Sequence, residues 1–301
     1  VINIGVCFFY EKEDTTMKKR VISTVLIGAM AMTLFAGCGS DSKKDAADSG
    51  DTTKTADTSA AKETGDGPSC QGALKGVTLN IGTSGTYGPF SYFDEDGKTL
   101  IGFDVDMLKD LQDILGFEIS DDTIQNMDYG PLGTSLGQGQ LDVGAAALCA
   151  TDERKKSMNF SETYFDAGLK VIVAPDNDKI KSVDDLKDGK YTVAVQSGTL
   201  AYEYVTGEGK LPESCLQVFD SQALAYKAVE DGQADATIYD VAGTAYSIKT
   251  GEVNLKMVGD EFYNGQAPYA IAFSFAICDE YPDIVDDFNE TMDELKAKWC
   301  E

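Results

Sequence analysis

The segments GQLDVGAA (139–146) and GQADATIY (232–239) carry the same signals in the same order. Each follows a stretch with helical spacing and opens on Gly-Gln. Each then passes one small or apolar residue and an aspartate and enters a strand. A helix-then-strand unit that occurs twice constrains the chain to two similar halves of alternating elements. The surrounding pattern agrees. VTLNIG (77–82) alternates Val77, Leu79 and Ile81, and FDVDMLKDLQDIL (103–115) has helical spacing through Phe103, Met107, Leu111 and Leu115. PLGTSLGQGQ (131–140) reads as a short helix, and LKVIVA (169–174) as a continuous apolar strand. The order then begins again with strand YTVAV (191–195), helix TLAYEYV (199–205) and helix SQALAYKAVEDG (221–232). A helix from Ala242, a strand near 255–258, the strand YAIAFSFAI (269–277) and an amphipathic helix over 282–298 complete the pattern.

Strands alternating with helices imply parallel sheets. Two halves of about 100 residues each imply two α/β lobes. The 301 residues, 43% of them hydrophobic, suffice for two cores. In open α/β sheets a ligand sits beyond the carboxyl ends of the strands. Two facing lobes therefore place a cleft between those ends.

The chain contains no histidine. That excludes Ser-His and Cys-His nucleophile pairs and every His-ligated metal site. Lys plus Arg number 25 against 51 Asp plus Glu, a net charge of −26, so nucleic acid and anionic membrane surfaces are poor partners. No C-x-x-C spacing occurs, which argues against thiolate zinc and thioredoxin-like redox sites. No metal and no cofactor is expected.

From Met17, the basic MKKR precedes the apolar run VISTVLIGAMAMTLFA, 16 residues long and short for a membrane span. LFAGC (34–38) resembles the lipobox of bacterial lipoproteins, with Phe35 where an aliphatic residue is usual. This implies a signal peptide over 17–37 and a lipidated Cys38 as the mature N-terminus. Residues 1–16 are expected to lie upstream of the true start. Residues 39–69 have no Leu, Ile, Val, Met or aromatic residue, so 38–76 is read as the lipidated cysteine and a flexible tether. Cys70, Cys149, Cys215, Cys278 and Cys300 remain. One or two disulfides are expected outside the cell, with at least one thiol left over.

LNIGTSGTYGPFSYFDEDGKTLIGFDVDMLKDL (79–111) resembles the opening of the amino-acid-binding proteins of ATP-binding-cassette (ABC) importers. TDERKKSMNFSETYF (151–165), AVQSGT (194–199) and ADATIYD (234–240) resemble later motifs of that family, in order and in register. The resemblance implies a periplasmic-binding-protein-like fold of type II, two α/β lobes joined by two hinge strands. The first lobe would comprise 77–166 plus 268–301 and the second 169–264, with crossings near 165–168 and 265–269. It further implies a monomer without catalytic activity, anchored on the extracytoplasmic face, that closes over a free amino acid and delivers it to permease subunits.

Arg154 is the sole arginine after residue 20, although 20 lysines follow Cys38. A guanidinium offers a planar fork to a carboxylate and stays charged, whereas lysine is a point charge. By resemblance Arg154 takes the ligand's α-carboxylate. From the residue alone, a surface pair with Asp152, Glu153 or Glu162 is the alternative. Asp240 matches the carboxylate for the α-ammonium; its alternative is a helix N-cap. Gly198 and Thr199 lie between strand and helix, where backbone N–H groups face an anion or simply cap. Tyr87 and Tyr129 match the rings that sandwich the ligand side chain, with Met127 competing for the second position. Ala146, Ala147 and Cys149 line the cleft where relatives often carry hydroxyls, leaving more of the binding to backbone groups. Ser84 and Gln196 match positions at the side-chain tip. Ser84 stands where relatives that bind basic amino acids tend to carry Asp, and no second arginine exists for an acidic side chain. A neutral amino acid is therefore expected. A ligand-sensing partner of a receptor would share this chemistry, and a dehydratase-like enzyme would need a spare acid or base that the sequence does not offer.

Overall fold

The computed structural model describes residues 69–166, 168–263 and 268–299. The leader, Cys38, most of the expected tether and Cys300 lie outside the described residues, as do parts of both expected crossings. The first half contains β1 (Thr78–Leu79), β2 (Ile81–Thr83), β3 (Thr86–Tyr87), β4 (Ser91–Phe93), β5 (Leu100–Ile101), α1 (Phe103–Leu115), β6 (Glu118–Ile119), β7 (Gln125–Asn126), α2 (Tyr129–Gly137), β8 (Val143–Gly144) and β9 (Met158–Phe160). The second contains β10 (Leu169–Val173), β11 (Val193–Gln196), α3 (Leu200–Thr206), β12 (Leu216–Phe219), α4 (Gln222–Glu230), β13 (Ala236–Asp240), α5 (Val241–Thr250) and β14 (Lys256–Phe262). β15 (Ala272–Ser274), α6 (Phe275–Glu280) and α7 (Ile284–Trp299) then return to the first half.

The halves share one topology. The first sheet runs β7-β2-β8-β15-β9 and the second β12-β11-β13-β10-β14. In each, the first three strands are parallel and the fourth is antiparallel to both its neighbours. Both antiparallel strands, β10 and β15, follow directly on an expected crossing.

The repeated sequence unit has an identical job in each sheet. Gly139 and Gly232 end α2 and α4 with φ of 68° and 70°, a conformation open to glycine without strain. Their N–H groups donate to the carbonyls of Leu136 and Val229, each at 3.1 Å. The aspartate then ties down the residue just before the neighbouring parallel strand. Asp142 accepts from the Asn80 N–H at 2.7 Å, and Asp235 from the Thr192 N–H at 2.8 Å. Removing either carboxylate would leave a strand-end amide short of its acceptor, at a cost of about 1–3 kcal/mol where the group is dry.

Apolar faces meet in separate cores. Leu108, Leu111, Leu115, Phe273 and Phe288 fill the first half, and Val171, Ile172, Val195, Ala225 and Ile238 the second. Three expectations change. The folded body begins before Val77, because Cys70 and Leu74 are buried against the core and Gly72 and Leu74 donate to the carbonyls of Ile114 and Leu115. The strand expected over 269–277 stops at Ser274, whose hydroxyl accepts from the Ile277 N–H and caps α6. Cys70, Cys149, Cys215 and Cys278 are all free thiols, so the expected disulfides do not form among them.

Candidate functional site

Loops at the carboxyl ends of β2, β8, β11 and β13 converge where the halves meet. Arg154 heads a short 3₁₀ turn over Arg154–Lys156, held by Thr151, whose hydroxyl accepts from the Arg154 N–H at 3.3 Å. Its side chain is only 11% exposed. It does not pair with Asp152, Glu153 or Glu162; Asp152 and Glu153 pair with Lys155 and Lys156, and Glu162 with Lys296. The guanidinium instead crosses to the second half. Nη1 donates to the Cys149 carbonyl at 2.8 Å and to the Tyr129 hydroxyl at 3.3 Å. Nη2 donates to the Gly198 carbonyl at 2.9 Å and lies 3.3 Å from Glu203 Oε1. Its carbon sits 5.5 Å from the Tyr129 ring centroid, a cation–π contact. Burial works against the charge, but the groups around the guanidinium outweigh it and the group stays protonated.

Gly198 has φ of 74°, and a Cβ there would stand 3.2 Å from the Cα of Gly130. Glycine is therefore needed both for the turn and for the close approach of the halves. Thr199 serves as the N-cap of α3, its hydroxyl accepting from Tyr202 at 3.2 Å. Asp240 occupies the N-cap position of α5, but its carboxylate makes no cap bond there. Its Oδ1 accepts from the Tyr269 hydroxyl at 2.7 Å. The Tyr87 and Tyr269 hydroxyls are 2.8 Å apart, and the Gly243 N–H donates to the Tyr87 hydroxyl at 3.2 Å. A chain of hydrogen bonds thus runs from α5 through both tyrosines back to Asp240. Burial raises Asp240 to about 6, against the opposing pull of Tyr269, its own backbone and Arg154.

Other expected residues fall around this frame. Tyr87 stacks on Phe90 and meets Tyr239 edge-on, each at 5.5 Å between centroids. Tyr129, not Met127, contacts Arg154. Ala146 and Ala147 are buried, and Ala147 has φ of 49°. Cys149 is buried; burial, then Asp240, keeps its thiol protonated. Gln196 is held within the second half, its amide donating to the Asp220 carbonyl at 3.2 Å and its Oε1 accepting from Tyr239 at 3.4 Å. Ser84 is buried with its hydroxyl 3.3 Å from that of Thr86.

Three contributors escaped the sequence reading. Asp104, at the start of α1, accepts from the Ala147 N–H at 2.7 Å and so fixes the strained loop over 145–149. Burial raises its carboxyl to about 6, with Tyr164 and the Ala147 N–H pulling the other way. An aspartate between apolar neighbours in a helix's first turn was its only local signal. Tyr269 and Glu203 carried none.

These motifs have recognised counterparts. Residues 79–299 match the family model for bacterial extracellular solute-binding proteins, family 3. The chain belongs to this family. It is 32% identical over 259 residues to the ABC transporter glutamine-binding protein GlnH of Bacillus subtilis (strain 168), covering 84% of this chain and 85% of that protein. It is 31% identical over 233 residues to the arginine-binding extracellular protein ArtP of the same organism, covering 73% and 85%. An ancestral arginine-binding protein bound to arginine matches with a TM-score of 0.63 and 32% identity, over 74% of this chain and 94% of that one. The fold is the two-lobed type II arrangement of that family.

Proposed function

We propose that this protein is an extracytoplasmic lipoprotein that captures a neutral α-amino acid between its lobes and delivers it to an ABC importer. The observation that carries this reading is the placement of a buried cation on one half and a buried anion on the other, where the two halves meet. Arg154 stands on the first and Asp240 on the second, each near fixed partners that hold its geometry. A zwitterion gains both contacts only when the lobes meet, so binding favours the closed form. The first lobe comprises 77–166 plus 268–301, extended by 70–76, which pack on its core, and the second comprises 169–264, with hinge crossings near 165–168 and 265–269. Ser84, Gln196, Tyr87 and Tyr129 surround the side chain, and Ala146, Ala147, Cys149, Gly198 and Thr199 present backbone groups to the zwitterion.

Neutral selectivity follows from charge. Arg154 is committed to the α-carboxylate, and the side-chain positions Ser84 and Gln196 are uncharged. The protein acts without catalysis. Burial and the Asp240 carboxylate keep the Cys149 thiol neutral, and the chain has no histidine to activate it. A thermal-shift screen of the twenty amino acids plus cystine tests the proposal, since a ligand of the folded state raises its stability. A neutral amino acid is expected to give the largest shift. The largest shift from arginine, lysine, histidine, glutamate or aspartate overturns the selectivity, and no shift from any overturns the function.

A further inference from the structure

Arg154 is more fully engaged than a waiting carboxylate clamp requires. Its two terminal nitrogens carry four N–H groups; three hydrogen bonds leave them, and the Glu203 carboxylate lies beside Nη2 as an ion pair. Two of these partners are backbone carbonyls, of Cys149 and Gly198, at 2.8 and 2.9 Å. The other two, the Tyr129 hydroxyl and the Glu203 carboxylate, are side chains at 3.3 Å. One of these longer contacts falls on each nitrogen. An end-on fork to a carboxylate uses one N–H from each nitrogen, so these are the two contacts a ligand can replace without moving the backbone. Glu203 stands on α3 in the second half, and its side chain is 34% exposed, free to turn toward water.

We propose that Glu203 is a resident competitor for Arg154, a carboxylate of the protein itself that bridges the halves until the α-carboxylate of an amino acid displaces it. This rests on the reading of the cleft as an amino-acid site. Carboxylate replaces carboxylate, so the guanidinium is never left buried and unpaired, a state that would be costly. The exchange also sharpens selection. A molecule without an α-carboxylate, such as an amino-acid amide, cannot displace Glu203 and meets a closed fork.

The sign of the effect follows from the exchange. The pair exists only without ligand, so it stabilises only the unliganded protein and weakens binding. A partly exposed ion pair is worth about 0.2–1 kcal/mol, so Glu203→Gln should tighten binding by up to about fivefold. The test uses the full mature protein and its Glu203→Gln variant, with L-glutamine as the probe in calorimetric titration. Small-angle scattering of both proteins without amino acid is measured at low and high NaCl. The variant is expected to bind L-glutamine about two- to fivefold more tightly. Unliganded, it should have a larger radius of gyration than wild type at low salt, a difference that shrinks as salt screens the pair. Equal or weaker binding by the variant would show that Glu203 supports the ligand instead of competing, and would overturn the proposal. Coincident unliganded scattering would overturn it too. If L-glutamine binds neither protein, scattering alone decides on Glu203, and the amino-acid screen judges the function separately.

Discussion

Acidifying the protein from about pH 7.5 to about pH 5 should weaken amino-acid binding roughly tenfold, through Asp240. Its carboxylate must be ionised to hold the ligand's ammonium, and burial raises its pKa from 3.8 to about 6. Binding to the ionised form alone multiplies Kd by one plus the ratio of protonated to ionised Asp240. That factor is close to one at about pH 7.5 and about eleven at pH 5. The ligand's own carboxylate and ammonium do not titrate in this window, and the chain has no histidine to confuse the assignment. Asp104 also sits at about 6, but it faces the Ala147 amide rather than a ligand charge, so Asp240→Asn separates the two. That variant should bind weakly and lose the pH dependence. The assay is calorimetric titration across this range in two buffers of different ionisation enthalpy, which also counts the protons released. A Kd that stays flat from pH 8 to pH 5, or weakens only around 3.8 as an ordinary carboxyl would, refutes the reasoning. The unliganded protein should show the opposite trend. A raised carboxyl favours the folded state when protonated, so its stabilising contribution is full below 3.8 and lost as pH rises through about 6. For Asp240 this is on the order of 3 kcal/mol, read by chemical denaturation at each pH.

Further outcomes follow from the same geometry. Arg154→Ala should cost about 3–5 kcal/mol of binding free energy, two to four decades in Kd, and Arg154→Lys should recover only part because the fork is lost; titration of the folded variants checks this, and affinity within threefold of wild type would show that Arg154 only ties the two halves together. Gly243→Ala places a methyl group against the Tyr87 ring, so it should weaken binding at least tenfold by obstructing closure, while the melting temperature without ligand stays near wild type. Cys38→Ala should leave the precursor uncleaved or release the protein from the membrane fraction, which fractionation and intact mass report directly.

Fold class and the two-part frame were legible from local pattern alone. Helical spacing, strand alternation and the paired Gly-Gln-x-Asp units are local, so they survive reading one residue at a time. They announced two halves built alike, and the structure explains why: Asp142 and Asp235 do the same job at the same place in two sheets. Arg154 was also legible, because one arginine among lysines marks a need for a planar fork. The remaining contacts join segments distant in the chain. Tyr269 reaches Asp240 from the far side of the second crossing, Asp104 grips Ala147 from another helix, and Glu203 meets Arg154 across the two halves. No spacing rule links such residues, because their proximity is created by how two separate cores pack. Even the end of β15 was a contest of this kind: the apolar run FSFAI suits a strand, yet the Ser274 hydroxyl caps a helix there and α6 packs against β15 and α7.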